Sequence, residues 1–134
     1  MERIDNKTAT FIMLEKNILL VVMKEHAVVD LNEAQENYKA ALQLTKGRRY
    51  ASLVDGLAFV TITSEAREFA NQPAMYENII AQAIVATSTA NRLLANFLIK
   101  FHRRNKSAEL KLFSTYELAL SWLKQKTADE EKKR

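Results

Sequence analysis

The sequence predicts an α/β domain built on a single mixed β-sheet of four or five strands with helices packed against it. Two observations indicate this class. Short runs of β-branched and aliphatic residues alternate with segments whose apolar residues recur at helical spacing, and the chain opens with two such runs separated by three polar residues. With 134 residues, the chain is long enough to bury one core and too short for two ordinary domains.

The first two strands are predicted to form a hairpin. Thr8–Leu14 and Ile18–Lys24 are rich in Ile, Val, Leu, Phe and Thr, which favour strands. The polar triplet Glu15-Lys16-Asn17 lies between them, and a loop of this length joins two antiparallel strands.

The helix and the strand that follow the hairpin have local markers. Asp30 and Glu33 form a capping-box-like pair at the start of a helix, and Gly47 supplies its end. Tyr50–Asp55 is predicted to be the central strand, because its run is apolar enough to be covered on both faces. Ala58–Ile62 is predicted to be a short extended piece beyond it.

Two helices are predicted after this extended piece. The first covers Ser64–Asn71, with Thr63 or Ser64 as its cap. The second begins near Pro73, which suits the first turn of a helix. It carries four apolar or aromatic residues at helical spacing: Met75, Tyr76, Ile79 and Ile80.

The next predicted pair is a strand over Ala83–Thr87 and a long helix from Thr89 to about His102. Ser88 lies between them and can cap the helix. An apolar stripe with a period near 3.6 residues supports the helix, and it consists of Leu93, Leu94, Phe97, Leu98 and Phe101.

The chain closes with a strand, a helix and a charged end. Leu110–Phe113 is the last strand, and Ser114 with Glu117 forms a second capping box. Four residues of the final helix are expected to face inward: Leu118, Ala119, Trp122 and Leu123. Because almost every residue from 127 onward is polar or charged, we expect a single domain over residues 1–126 and a disordered tail over residues 127–134.

Composition argues against several classes of protein. The absence of cysteine excludes disulfides and cysteine-ligated zinc and fits a reducing compartment. The longest aliphatic run, Ile18–Met23, is far shorter than the roughly 20 residues that span a bilayer, so we expect no stable membrane insertion and a cytoplasmic location. The net charge of +4 is weak, and the basic group near His102 contains no aromatic residue to stack a base, so no nucleic-acid partner is expected.

No motif for catalysis, a metal or a cofactor is present. The sequence contains no GxSxG, HExxH or Gly-rich phosphate loop. His26 and His102 lie far apart, without a carboxylate or thiol at ligand spacing. We therefore expect a protein that is not an enzyme and that needs neither metal nor cofactor.

The junction between the central strand and the next helix is the predicted site. A junction of this kind exposes backbone N–H groups and hydroxyls at one edge of the sheet, where open α/β folds usually keep their sites. Asp55 ends the buried strand, either as a site carboxylate or as a turn-forming residue. Thr63 and Ser64 suit either a plain helix cap or a contact with a ligand or partner.

The order of elements, with LVDGLAFVTITSEAREFA in the middle and KLFSTYELALSWL near the end, resembles the SpoIIAA-like superfold. This group includes the STAS anti-sigma-factor antagonists and the CRAL-TRIO lipid-binding domains, and the chain looks most like its small single-domain bacterial members. The resemblance covers roughly Thr8 to Lys126. In STAS antagonists a serine at the start of a helix is phosphorylated by a partner kinase, and the matching turn here holds Thr63 and Ser64. The family's flanking aspartate and glycine are absent, and Glu65 follows Ser64.

The resemblance implies a regulatory or signalling domain that binds a protein partner through the surface of residues 55–67. The candidates for partner contact or phosphorylation are Asp55, Thr63, Ser64 and Arg67. A phosphate added at this helix start would lie at the positive end of the helix dipole.

The alternative is a small-molecule or lipid-binding domain similar to the CRAL-TRIO relatives. Its pocket would lie under the helix predicted over residues 73–80, with Met75 and Tyr76 as lining candidates. The same two side chains would suit a homodimer interface.

Overall fold

The computed structural model describes residues 2–89, 91–93, 96 and 108–133. In chain order its elements are β1 (Arg3–Asp5), β2 (Ala9–Glu15), β3 (Ile18–Met23), β4 (Val28–Val29), α1 (Leu31–Thr45), β5 (Tyr50–Asp55), β6 (Thr61–Ile62), α2 (Ser64–Ala70), the 3₁₀ turn Pro73–Tyr76, β7 (Ile79–Val85), β8 (Glu109–Phe113) and α3 (Tyr116–Lys132). Another helix begins at Thr89, and most of the length predicted for it, up to His102, lies outside the described residues.

The main sheet has the strand order β1-β2-β3-β5-β7-β8. β1, β2 and β3 are antiparallel neighbours, whereas β3, β5, β7 and β8 are parallel. β5 has the bounds predicted for the central strand and lies between two parallel neighbours. The expectation of a mixed α/β sheet is therefore confirmed, with six strands among the described residues in place of four or five.

Helices cover both faces of this sheet. On one face, called the α3 face, α3 packs through Ala119 and Leu123 against the central strands. On the opposite face, called the α1 face, α1 packs through Ala40, Ala41 and Leu44. Because successive residues of a strand point to opposite faces, each central strand contributes to both layers of the core.

Side-chain caps fix the starts of the helices. Asp30, Thr63 and Ser88 each accept a hydrogen bond from the backbone N–H three residues on, at 2.8, 3.2 and 3.2 Å. These are caps that the sequence indicated. For α3, the cap is Thr115, which accepts at 3.3 Å, and not Ser114 as predicted.

The prediction of a helix over residues 73–80 is wrong. Pro73–Tyr76 forms one 3₁₀ turn, and β7 begins directly afterwards, at Ile79. Ile79 pairs with Tyr50 of β5 and is buried there. A short apolar run fits helical and strand spacing equally well, and pairing with the central strand decides the outcome.

The disordered tail predicted over residues 127–134 is also wrong, because α3 continues to Lys132. Glu130 forms an ion pair with Arg49 at 2.6 Å, which fastens the last turns of α3 to the residue before β5. Polar composition alone does not reveal this partner, since it lies 81 positions away in the sequence.

A small second sheet, which the sequence did not predict in full, pairs β4 with β6 in parallel. Val29 of β4 is buried, whereas Val28 is exposed. Since β4 leads directly into α1 and β6 leads directly into α2, this pair fixes the starts of the two helices on the α1 face.

Candidate functional site

An apolar cleft of about 260 Å³ lies on the α1 face of the sheet. Residues of β2, β3, β5 and β7 form its floor, and residues of α1 and α2 form its walls. Met75 and Tyr76 of the 3₁₀ turn also line it. The structure thus places both pocket candidates at a cleft, although the segment that carries them is a 3₁₀ turn and not a longer helix.

Small side chains on two helices leave the room for this cleft. Ala34 and Ala41 lie two turns apart on α1, and Ala66 and Ala70 lie one turn apart on α2. All four line the cleft, so the helix faces turned towards the sheet carry methyl groups where larger side chains would fill the space.

A one-residue register shift between β5 and β7 shapes the floor. Tyr50 pairs with Ile79, but Ser52 pairs with Gln82, so β7 carries one extra residue in this interval. Regular pairing would place Ala81 opposite Ser52. The shift turns Gln82 away from the α3 face and onto the cleft floor, next to Ser52. Irregularities of this kind often re-aim a side chain beside a functional site.

Ser52 and Gln82 are the two polar side chains that neighbouring strands contribute to the floor. Ser52 is 3% exposed, and among the described residues neither its hydroxyl nor the Gln82 amide has a hydrogen-bond partner. Sequence reasoning missed both. The signal that could have identified them is one polar residue inside each of two apolar strands, YASLVD and IIAQAIV.

The aromatic side chains that line the cleft include three tyrosines, Tyr38, Tyr50 and Tyr76, and two phenylalanines, Phe11 and Phe69. Tyr38 of α1 contacts Phe69 of α2 edge-to-face, with ring centroids 6.0 Å apart. Burial raises the pKa of Tyr50 to about 12, with smaller contributions from Tyr38 and Tyr76, and burial raises the pKa of Tyr76 to about 12. The surroundings of both hydroxyls therefore disfavour a negative charge.

Asp55 lies away from the cleft, on the side of α3. The Tyr116 hydroxyl, at the start of α3, donates a hydrogen bond to Oδ2 of Asp55. Burial, and then this hydrogen bond, raises the pKa of Tyr116 above its ordinary value. The other oxygen of Asp55 accepts from the backbone N–H of Leu57 at 3.0 Å.

The remaining three partner candidates lie together at the start of α2. The Thr63 hydroxyl is used as the helix cap, while Ser64 is exposed. Arg67 donates to the Ile62 carbonyl at 3.1 Å and approaches the Ser64 hydroxyl at 3.5 Å. The structure therefore groups Thr63, Ser64 and Arg67 and leaves Asp55 with α3.

The loop of residues 56–60 presents two large apolar side chains that sequence reasoning did not single out. Leu57 is 45% exposed and Phe59 is 53% exposed. Asn91 donates from its side-chain amide to two carbonyl oxygens of this loop, at 2.6 and 3.1 Å. The apolar pair is thus carried by a loop that is held in place.

Two carboxylates add to the support of this loop. Asp55 accepts from the backbone of Leu57, and Glu25 accepts from the backbone of Phe59 at 3.1 Å. The exposed apolar side chains therefore lie on a loop whose backbone is bonded to two carboxylates.

A second hollow, of about 380 Å³, lies where the parallel strands begin. Its lining includes Lys16, Arg48, Arg49, Glu130 and Glu131. Since cations and carboxylates alternate there and Arg49 and Glu130 already pair, we interpret it as a group of surface ion pairs and not as a ligand site.

Metal-binding clusters and membrane-spanning helices are both absent from the described part of the chain. It contains no cluster of three or more His, Asp or Glu side chains that could hold a metal ion. None of its helices combines the length and the apolar character needed to cross a membrane.

Comparison with known proteins assigns the family. The family model described as domain of unknown function DUF7793 matches residues 12–127. The chain belongs to the DUF7793 family. No curated protein matches the sequence.

Comparison with a solved structure identifies the fold of this DUF7793 domain. The chain is similar to an uncharacterized protein of the DUF3478 family with a SpoIIAA-like fold from Shewanella loihica PV-4, with a TM-score of 0.63 and 12% sequence identity. The similarity covers 86% of this chain and 91% of the other. The SpoIIAA-like fold indicated by the order of elements is therefore confirmed, and at this identity the likeness extends to fold alone.

The raised tyrosine pKa values of the DUF7793 domain predict its behaviour in alkali. Since the ordinary tyrosine pKa is 10.0, the neutral Tyr50 and Tyr76 hydroxyls contribute stability that is complete below pH 10 and is lost as pH rises through about 12. Because the pKa of Tyr116 is raised as well, absorbance at 295 nm should show three late-ionising tyrosines, one of which disappears in Tyr50→Phe and another in Tyr76→Phe. Ionisation of all tyrosines near pH 10 would contradict the apolar character of the cleft.

Substitutions of Thr63 and Ser64 are expected to differ in their effect on the stability of the protein, although the two hydroxyls are adjacent in the sequence. Thr63→Ala removes the α2 cap and should lower the free energy of unfolding by about 1 kcal/mol. Ser64→Ala should change it by less than about 0.5 kcal/mol, because its side chain is exposed. Urea denaturation measures both. Equal losses in the two variants would contradict the assignment of the cap.

Proposed function

We propose that this DUF7793 domain binds a small, mainly apolar molecule in the cleft between the sheet and helices α1 and α2. The observation that carries the proposal is an apolar cleft with two polar side chains on its floor that have no partner among the described residues. Small-molecule sites in proteins are typically concave and apolar, with a few polar groups that orient the ligand. The domain would act without catalysis, as a binding module in the cytoplasm.

The construction of the cleft supports a role beyond packing. Filling an apolar void with a larger side chain commonly stabilises a protein, yet four alanines of α1 and α2 leave this space open. The register shift that brings Gln82 to the floor interrupts a parallel strand pair. A ligand that filled the cleft and formed hydrogen bonds with the floor side chains would offset the stability lost to the open space and to the interrupted strand pairing.

Blocking the cleft from its wall tests this function. Ala70 lines the cleft, so a phenyl ring in Ala70→Phe should occupy the ligand's space. Ala74→Phe is the matched control, because Ala74 is exposed on the 3₁₀ turn and does not line the cleft. The neutral fluorescent dye N-phenyl-1-naphthylamine serves as the probe. We expect the wild-type protein and Ala74→Phe to bind it, and Ala70→Phe to bind about tenfold more weakly or worse.

Two outcomes would contradict the proposal. Unchanged dye affinity in Ala70→Phe, with the fold retained by circular dichroism, would place binding elsewhere. Absence of dye binding by the wild-type protein, together with native mass spectra that show no co-purified small molecule, would argue against a ligand-binding function.

A second candidate function is partner binding through the loop of residues 56–60, as part of a regulatory or signalling role. The observation in its favour is that hydrogen bonds to Asn91, Asp55 and Glu25 hold the backbone of the loop. This loop carries the exposed side chains of Leu57 and Phe59. A surface that is already ordered loses little conformational entropy when it binds. The partner's contact segment would be apolar with neighbouring basic side chains, to complement the carboxylates.

This second candidate changes the expected contact residues. The predicted surface of residues 55–67 remains the proposed region, but Leu57 and Phe59 replace Thr63 as its main contacts, because the Thr63 hydroxyl is used as a cap. Ser64 and Arg67 are placed at the rim, where polar contacts affect the association rate more than affinity.

A further inference from the structure

The polar pair on the cleft floor carries information about the chemistry of the ligand. Ser52 and Gln82 lie directly opposite each other on neighbouring parallel strands, and both side chains line the cleft. Adjacent strands are about 4.8 Å apart, so one polar group of a ligand can reach both side chains. The chemical class of ligand that this pair indicates rests on the proposed ligand-binding function.

Charge is absent from the lining of the cleft. Among the described residues that line it, none is Lys, Arg, His, Asp or Glu. A carboxylate or ammonium group placed there would lose its hydration without gaining a counter-ion, which is strongly unfavourable. The same apolar surroundings keep the Tyr50 and Tyr76 hydroxyls neutral well above pH 10. These observations argue for an uncharged ligand.

The hydrogen-bonding groups of Gln82 narrow the class of uncharged ligand further. A glutamine amide presents an acceptor oxygen and an N–H donor side by side in one plane. A carboxamide or a lactam presents the complementary pair and forms both hydrogen bonds at once, whereas a ketone, ether or ester can accept but has no donor to return. The Ser52 hydroxyl can donate to or accept from the same group.

We infer that the cleft takes an uncharged ligand with a carboxamide-type group, such as a primary amide or a lactam, seated on Ser52 and Gln82. The apolar remainder of the ligand would lie against the aromatic side chains of the cleft, which include Tyr38, Phe69 and Tyr76. The one-residue shift between β5 and β7 is the feature that makes this recognition possible, because it brings Gln82 onto the cleft face.

Four probes of similar size test this class: benzamide, benzoate, acetophenone and toluene. They share a phenyl ring and differ in having an amide, a negative charge, an acceptor alone, or no polar group. Titration of the ¹⁵N-labelled protein, followed by backbone amide shifts around the cleft, gives the dissociation constants. We expect benzamide to bind about tenfold more tightly than acetophenone, and benzoate to bind most weakly of the four.

Substitutions of Ser52 and Gln82 test whether these two floor residues cause the preference for benzamide. In Gln82→Met and in Ser52→Ala, the advantage of benzamide over acetophenone should shrink severalfold, while toluene affinity stays within about twofold. Gln125→Met is the matched control, because Gln125 is exposed on α3, and it should retain the wild-type order of affinities. Ser52→Ala removes a hydroxyl that lines the cleft and has no partner among the described residues, so the fold is expected to persist.

The outcomes separate this inference from the proposed function. Toluene binding with no preference for benzamide, or benzoate binding as tightly as benzamide, overturns the carboxamide class and leaves an apolar ligand site. A preference for benzamide that survives in Gln82→Met and Ser52→Ala overturns the assignment to these residues. If none of the four probes shifts the resonances of the cleft, the proposed function and this inference both fail.

Discussion

Replacement of Leu123 with alanine is expected to lower the free energy of unfolding by about 2–5 kcal/mol. Leu123 is 0% exposed and packs from α3 into the core formed with β3, β5 and β7. The substitution removes the apolar contacts of the side chain and leaves a cavity that the rigid sheet beneath cannot fully close. For a domain of this size, a loss of about 3 kcal/mol corresponds to a decrease in Tm of about 10 °C.

Leu118→Ala on the same helix is the control for this prediction. The sequence pattern predicted that Leu118 faces inward, but it is 57% exposed, one residue before the buried Ala119. Leucine and alanine have similar helix propensity, so this variant should change stability by less than about 0.5 kcal/mol. Thermal and urea denaturation of the pair measure the difference. Similar losses at both positions would show that α3 does not pack on the sheet in the orientation described.

Local signals in the sequence were sufficient for much of the fold. The bounds of β5 follow from an apolar run that ends at Asp55, and the caps at Asp30, Thr63 and Ser88 follow from side chains that satisfy N–H groups three residues away. Such signals span a few residues and survive in any tertiary context. They explain why the order of elements pointed to the correct superfold.

The errors concern elements that depend on distant partners. β1 has three residues and no pattern of its own, and it is a strand because Ile4 pairs with Phe11 of β2. The assignment of Ile79 to a helix failed because its pairing with Tyr50 is invisible in a local window. The last turns of α3 likewise depend on an ion pair between Glu130 and Arg49.

Prediction of the candidate site from the sequence is limited in the same way, because part of the site depends on pairing between distant residues. Met75 and Tyr76 were selected for their position after Pro73, and both line the cleft. The polar residue Gln82 stands out within an apolar strand, but its position in the cleft could not be predicted, because regular alternation from Ile79 would place it on the α3 face and the one-residue shift against β5 reverses this. The sequence therefore indicated two residues that line the pocket, but not that Ser52 and Gln82 lie on its floor.

Substitution of Phe59 with serine is expected to weaken binding of a protein partner by about 30-fold or more. Phe59 is 53% exposed on a loop whose backbone is held by Glu25 and Asn91, so it is presented in a fixed position. Exposed aromatic anchors of this kind contribute disproportionately to binding energy. Since the side chain is mainly in water, the substitution should leave the Tm nearly unchanged.

A photo-crosslinking amino acid at Leu57 would identify the partner, and the binding constants are then measured with the two purified proteins. Leu118→Ser is the matched control, because Leu118 is exposed to a similar degree on α3. A partner segment rich in apolar and basic residues should also bind more slowly as salt is added, because the carboxylates of Glu25 and Asp55 lie beside the loop. Equal affinity for wild type and Phe59→Ser, or an equal loss in Leu118→Ser, would exclude this loop as the docking surface and leave the cleft as the remaining functional proposal.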